Sequence, residues 1–269
     1  MQTVANDAVD VATTPSGFTA IEREEIPMTM QVGMVGSDGI LLASDTYGMN
    51  PPTLGRDHLW AGVRYSTNNT KIKVSHESGI AIACAWDMIT SGLIADSIIS
   101  GWTDDDLADP EGALERLCEN VADKEKRRAQ CLVVLTRPTP QMFFLQSVNF
   151  ENEWSPWCQK MLTKAITGDN VNAAIFWAER YYEKFLPLHL SMERLIPLAA
   201  QMIVSARELN TAGIGGLEIV LCGSSRISLL SDDSIDMLKQ RALEWDETIG
   251  DLFLSYQPPY TYKSPNIAQ

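Results

Sequence analysis

Residues 29–45 read Thr29-Met30-Gln31-Val32-Gly33-Met34-Val35-Gly36-Ser37-Asp38-Gly39-Ile40-Leu41-Leu42-Ala43-Ser44-Asp45. Two β-like runs, MTMQVGMV and ILLASD, flank the turn signal Gly36-Ser37-Asp38-Gly39, and this arrangement predicts a hairpin. Immediately upstream the character of the chain is different. The first 27 residues are rich in Ala, Asp, Glu and Thr, carry little apolar periodicity, and close on the acidic run Glu22 to Glu25 followed by Pro27. Residues 1–28 are therefore expected to form a flexible extension or propeptide, and residues 29–269 a single domain.

Downstream of the hairpin, the stretch from Thr46 to Thr70 is dense in Gly, Pro, Asn and Asp and is expected to be a long connection. A second hairpin follows, with strands over Lys71 to Val74 and Ile80 to Ala85. Asp87 is placed to cap a helix running to about Ile99, and a second helix is expected over Glu111 to Lys126, just after Pro110. Strands are expected over Cys131 to Thr136, Met142 to Ser147 and Met161 to Thr167. Two helices come next, Val171 to Phe185 and Ser191 to Asn210, the second with Leu195, Leu198, Ala199, Met202 and Ala206 on one face. A last hairpin, Leu217 to Cys222 with Arg226 to Leu230, precedes a closing helix over Asp232 to Glu247. An order of strands in groups of four, three and two, separated by helices and without regular βα alternation, predicts an α+β fold. Its two mostly antiparallel sheets lie between helix layers, a four-layer αββα sandwich.

Composition narrows the partners. A net charge of -14 opposes nucleic-acid phosphate and anionic lipid, so neither nucleic acid nor membrane is expected as a partner. The most apolar stretch, Gly79 to Trp102, carries Asp87 and Asp96, each unfavourable by roughly 2.5 to 3.5 kcal/mol at a bilayer centre. Met1 to Asp10 shows neither a basic n-region nor an apolar h-region, and Cys84, Cys118, Cys131, Cys158 and Cys222 form no CxxC pair. Both features point to a cytoplasmic protein with reduced thiols. His58, His76 and His189 lack ligand spacing, so no metal site and no other cofactor is expected.

The run from Thr29 to Asp45 resembles the opening of a mature proteasome β-type subunit. In that family a threonine begins the chain, followed by a Val-Gly pair, an Asp-Gly, and an apolar strand ending in Ala-x-Asp. Thr70-Lys71-Ile72-Lys73-Val74 resembles the strand whose lysine points at that threonine, and Ile82-Ala83-Cys84-Ala85-Trp86-Asp87 the transition into the first outer helix. Ala165 to Asn170 is similar to the family's Gly-Ser-Gly turn, and Gly215-Gly216 to the glycines before its eighth strand. The resemblance extends from Met28 to Trp245 and implies the N-terminal-nucleophile (Ntn) hydrolase fold.

What the resemblance implies chemically is peptide hydrolysis through an acyl ester on Thr29. The residue's own α-amine acts as base, which requires Thr29 to be the first residue. Lys71 stands beside the hydroxyl as a positive charge, and Asp45 pairs with Lys71. The Cys84 backbone N–H is expected to meet the oxyanion, and Trp86 to line the substrate pocket. Asp169, Asn210 and Gly213 occupy the places of the supporting residues. The partners implied are a polypeptide substrate and further copies of the chain in a ring-forming homo-oligomer, with any unfoldase unspecified. Met28 stands where self-cleaving relatives have glycine, so the free amine could arise by processing or by initiation at Met28 and methionine removal. Two other readings share the fold: a silent structural subunit with its N-terminus unprocessed, and an Ntn amidase acting on small substrates.

Overall fold

In the computed structural model the described residues are 29–50, 64–66, 70–150, 153–168, 173–184, 190–209, 214–224 and 226–255. The extension expected over residues 1–28, and most of the connection before Lys71, lie outside them. The opening run forms β1 (Met30–Val35) and β2 (Ile40–Ser44), paired antiparallel with Gln31 opposite Ser44 and Val35 opposite Ile40. Both strands are buried on both faces, because each lies inside a layered structure. Met30, Val32, Met34, Leu41 and Ala43 turn toward helices, whereas Ile40 and Leu42 turn toward a second sheet.

The connection after β2 contributes a small pair of its own, β3 (Gly48–Asn50) with β4 (Arg64–Ser66). β5 (Ile72–Ser75) and β6 (Ile80–Trp86) make the second hairpin. α1 (Met88–Gly101) starts at Asp87, whose carboxylate accepts the Thr90 N–H at 2.8 Å. A 3₁₀ turn (Asp104–Ala108) leads to α2 (Pro110–Glu125), with Asp109 as its N-cap and Pro110 in the first turn.

β7 (Ala129–Leu135) and β8 (Gln141–Phe150) follow, and then the sequence expectation needs correction. A single strand was expected over Met161 to Thr167, but two are present, β9 (Glu153–Met161) and β10 (Lys164–Gly168). β9 is an edge strand carrying Pro156 and many exposed side chains, and edge strands tolerate proline because one row of their amides needs no partner. The break between β9 and β10 moves the chain from one sheet to the other.

α3 (Ala173–Trp177) continues into a π-helical turn (Ala178–Tyr182), and α4 (Met192–Leu209) carries Leu195, Ala199, Met202 and Ala206 inward as their spacing predicts. β11 (Glu218–Cys222), β12 (Ile227–Leu229) and α5 (Asp232–Ser255) complete the fold, α5 running two turns past the expected Glu247.

One five-stranded antiparallel sheet has the order β10-β1-β2-β11-β12 and the other β5-β6-β7-β8-β9. Three apolar layers hold the sandwich together. Ile80, Ile82, Cys131 and Val133 pack on Ile94, Ile98, Leu114 and Cys118 of α1 and α2. Ile40, Leu42, Ile72, Ala81, Leu132 and Met142 fill the space between the sheets, and α4 closes the far side over β1 and β2. At roughly 25 cal/mol per Å² of apolar surface, burying each Leu or Ile contributes about 1.5–3 kcal/mol. The four-layer α+β sandwich is the architecture expected of the sequence.

Candidate active site

The register of the strands brings chemistry to one end of the sandwich. Thr29 lies one residue before β1 and Asp45 one residue after β2, and antiparallel pairing of these strands sets the two side by side. The link is reciprocal: Asp45 N–H donates to the Met30 carbonyl at 3.0 Å, and Met30 N–H donates to Asp45 Oδ1 at 2.9 Å. Lys71 enters from the other sheet, one residue before β5. Its ammonium donates to both Asp45 oxygens, at 2.9 and 3.0 Å, and to Thr29 Oγ1 at 3.1 Å.

All three residues are buried, with relative exposures of 4% for Thr29, 0% for Asp45 and 1% for Lys71. Burial disfavours charge, and it pulls the Lys71 ammonium below the ordinary lysine value against the opposing attraction of Asp45. Asp45 is pushed up by the same desolvation, opposed by Lys71 and by the N–H groups of Met30 and Tyr47. With Tyr47 N–H at 3.1 Å on Oδ2, two amides and one ammonium face this carboxylate. Chemically, the arrangement supplies a fixed cation at a hydroxyl from which water is largely excluded.

The glycines singled out in the sequence serve this end of the fold. Gly168 closes β10 opposite Met30 with φ +90, and a Cβ there would sit 1.6 Å from the Thr29 carbonyl oxygen. Gly216, at φ +71, lies against Thr46, the residue after Asp45, whose N–H donates to the Gly215 carbonyl at 2.8 Å.

One expectation changes. The Cys84 N–H does not stand free to receive an oxyanion: it donates to the Lys71 carbonyl at 2.9 Å and forms a rung of the β5–β6 ladder. Lys71 continues the line of β5 one residue beyond the Ile72–Ala83 pair, and its carbonyl thereby occupies the Cys84 amide. Trp86 itself has the left-handed φ of 70, unusual for a bulky residue. Its indole N–H donates to Gln130 Oε1 at 2.7 Å, and the Arg128 guanidinium lies 5.5 Å from its ring centroid, so the side chain is tied to β7. Asp169, Asn210 and Gly213 fall outside the described residues.

Two polar residues that the sequence reading passed over sit here. Gln31, fully buried on the face of β1 opposite the helices, donates to the Cys84 carbonyl and accepts the Thr167 hydroxyl at 3.0 Å, tying β1, β10 and β6 together. Glu218, the first residue of β11, accepts the N–H groups of Lys71 and Ile72 at 2.6 and 2.9 Å through one oxygen. A polar residue within or opening an otherwise apolar strand is the available signal, as in Gln31 between Met30 and Val32 and Glu218 before Ile219-Val220-Leu221.

No protein-family model matches the sequence, and comparison with curated proteins gives no match. Solved structures do match. Anbu (ancestral beta-subunit) from Yersinia bercovieri superposes with a TM-score of 0.62 at 13% identity, over 86% of this chain and 100% of that one. Anbu from Pseudomonas aeruginosa, described as a helical assembly, gives 0.63 at 13% identity over 86% and 98%. Anbu from Hyphomicrobium sp. strain MC1 gives 0.58 at 12% identity over 86% and 100%. At these identities the agreement is one of fold, and the chain has the proteasome-β-like α+β sandwich that these structures share.

Proposed function

We propose that the protein is a threonine-type endopeptidase of a self-compartmentalised, proteasome-like assembly, with Thr29 as nucleophile. The observation that carries this reading is the Lys71 ammonium, buried, 3.1 Å from Thr29 Oγ1 and held by both oxygens of Asp45. In the reaction, the α-amine of a chain beginning at Thr29 accepts the hydroxyl proton as Oγ1 attacks the scissile carbonyl. Lys71 stabilises the developing negative charge on Oγ1, and Asp45 holds Lys71 in place. The amine leaving group departs with a proton, giving an ester on Thr29 that water then hydrolyses.

The oxyanion donor in this reading belongs to the last residue of β6. Cys84 N–H points to the β5 edge of β6, Asp87 N–H donates to the Arg128 carbonyl on the β7 edge, and alternation turns the Trp86 N–H to the β5 edge. That amide lies one rung beyond Lys71 and takes the role that Cys84 cannot. In this reading Trp86 also forms one wall of the substrate pocket. Homo-oligomerisation follows the helical assembly described for the Pseudomonas aeruginosa protein. Five free, buried cysteines suit a reducing cytoplasm.

A second reading, a silent assembly subunit, is favoured by Met28, since the lone pair of an acylated Thr29 nitrogen is delocalised into the carbonyl and cannot act as base. Intact mass and N-terminal sequencing of the protein from its own cell separate the two, combined with hydrolysis of fluorogenic peptides. An N-terminal Thr29, with turnover that Thr29→Ala abolishes while assembly persists, supports the peptidase. Turnover surviving Thr29→Ala removes Thr29 as nucleophile, and an N-terminus upstream of Thr29 favours the silent subunit.

A further inference from the structure

Glu218 stands at the start of β11, beside Ser44 on β2 and so next to Asp45 in the same sheet. Its side chain crosses to the opposite sheet, where a single carboxylate oxygen accepts two consecutive amides, Lys71 N–H at 2.6 Å and Ile72 N–H at 2.9 Å. β5 is the edge strand of its sheet, and its start is held on the inner side by the Cys84 N–H on the Lys71 carbonyl. The backbone of Lys71 is thereby fixed from two sides: the carbonyl by β6 and the amide by Glu218. A carboxylate accepting two amides makes charge-assisted bonds, about twice as strong as neutral ones.

We propose that Glu218 is a positioning residue, anchoring the Lys71 backbone from the facing sheet so that the ammonium is held against Thr29 Oγ1. This deepens the peptidase reading and rests on it for its kinetic consequence, although the anchoring itself is independent of turnover. Distance is what makes such an anchor matter. A lysine side chain has four rotatable bonds, and displacing its backbone by about 1 Å is enough to cost on the order of 100-fold in rate at an aligned site.

Charge adds a second effect. The charged groups facing Glu218 are Lys71, just before β5, and Asp45, just after β2. Burial pushes the Glu218 carboxyl up to about 7, against the amides of Lys71 and Ile72 and the Lys71 charge, with Asp45 adding to the rise. Its negative charge in turn raises the Lys71 ammonium, so removing it makes Lys71 lose its proton more readily. A residue that merely filled space would not move the lysine titration.

The test uses Glu218→Gln and Glu218→Ala in the full chain, with [ε-¹³C]lysine labelling and Lys71→Met to assign the Lys71 signal. Glu218→Gln keeps an oxygen acceptor and removes the charge, so the Lys71 titration midpoint should move down. An unchanged midpoint overturns the proposal, and this arm stands even if Glu218→Ala fails to fold. In peptide hydrolysis, folded Glu218→Ala should lose about tenfold or more in kcat with KM little changed. Glu218→Gln should restore most of that rate. Rate in Glu218→Ala within twofold of the parent overturns the anchoring role. If the unmutated protein shows no turnover, or Thr29→Ala stays active, it is the peptidase reading that fails, and the Lys71 titration still decides on Glu218.

Discussion

Replacing Lys71 by methionine preserves most of the side chain's volume and leaves Asp45 without its cation. The Asp45 carboxylate is 0% exposed and would lose ammonium contacts of 2.9 and 3.0 Å while keeping the Met30 and Tyr47 amides. Breaking one side of a buried pair costs about 3–5 kcal/mol, and the two remaining donors place Lys71→Met near the lower end. Asp45→Asn, which strands a buried ammonium instead, should cost a similar amount. The double variant Lys71→Met with Asp45→Asn removes both members of the pair, so its loss should fall short of the sum by about 2 kcal/mol or more. Urea unfolding of the four proteins, with unchanged m, gives the cycle directly. A pH arm accompanies it. In Lys71→Met the folded Asp45 binds its proton more tightly than the unfolded chain does, so stability is lost as pH rises from the unfolded value through the raised folded one. The deficit should therefore be smaller at pH 5 than at pH 8. Additive single losses would refute the claim that Lys71 and Asp45 act as one buried unit.

Two further substitutions test how the backbone delivers Thr29 and the first outer helix. Gly168→Ala should destabilise the fold by at least about 1–3 kcal/mol, because the new Cβ meets the Thr29 carbonyl at 1.6 Å at a φ of +90; a melting temperature equal to the parent's would show that β10 can move aside. Asp87→Ala should lose about 1 kcal/mol by uncapping α1, and Asp87→Asn should recover most of it, as read from thermal unfolding.

The parts of the fold that were legible are those where local chemistry and global packing agree. The β1–β2 hairpin, the Asp87 cap and the inward face of α4 each carry a period or a capping residue that no neighbouring element overrides. β9 was not legible because Pro156 and an exposed, charged pattern disguise an edge strand, whose status depends on partners distant in sequence. The same reasoning explains the site. Thr29, Asp45 and Lys71 were reached through a resemblance, since no local rule distinguishes them from strand-end residues. The bond that occupies the Cys84 amide was not legible, because it depends on the register between β6 and the residue before β5, which no local pattern sets. Glu218 lies 147 residues from the amide it binds, and only the stacking of the sheets brings the two together.

Why an ion pair should be buried here at all is itself informative. A buried Lys–Asp pair is a weak device for stability, since well-packed apolar side chains of the same volume usually serve as well or better. The apolar layer between the sheets begins at the very next residue, Ile72, which pairs with Ala83. What apolar side chains could not supply is a cation fixed 3.1 Å from a buried hydroxyl. Beside the pair stands Glu218, a second carboxyl that burial pushes up to about 7. Three ionisable groups from two sheets gather beside one threonine, with Lys71 in contact with its hydroxyl and the two carboxylates, Asp45 and Glu218, disfavouring each other's charge. That arrangement is expensive as architecture and reasonable as chemistry, because perturbed ionisable groups concentrate where protons and charges are moved. If stability were its purpose, the double variant lacking both charges should fall well below the parent; a double variant close to the parent, with both single variants well below it, marks the pair as serving the site instead, and the same urea cycle reads this out.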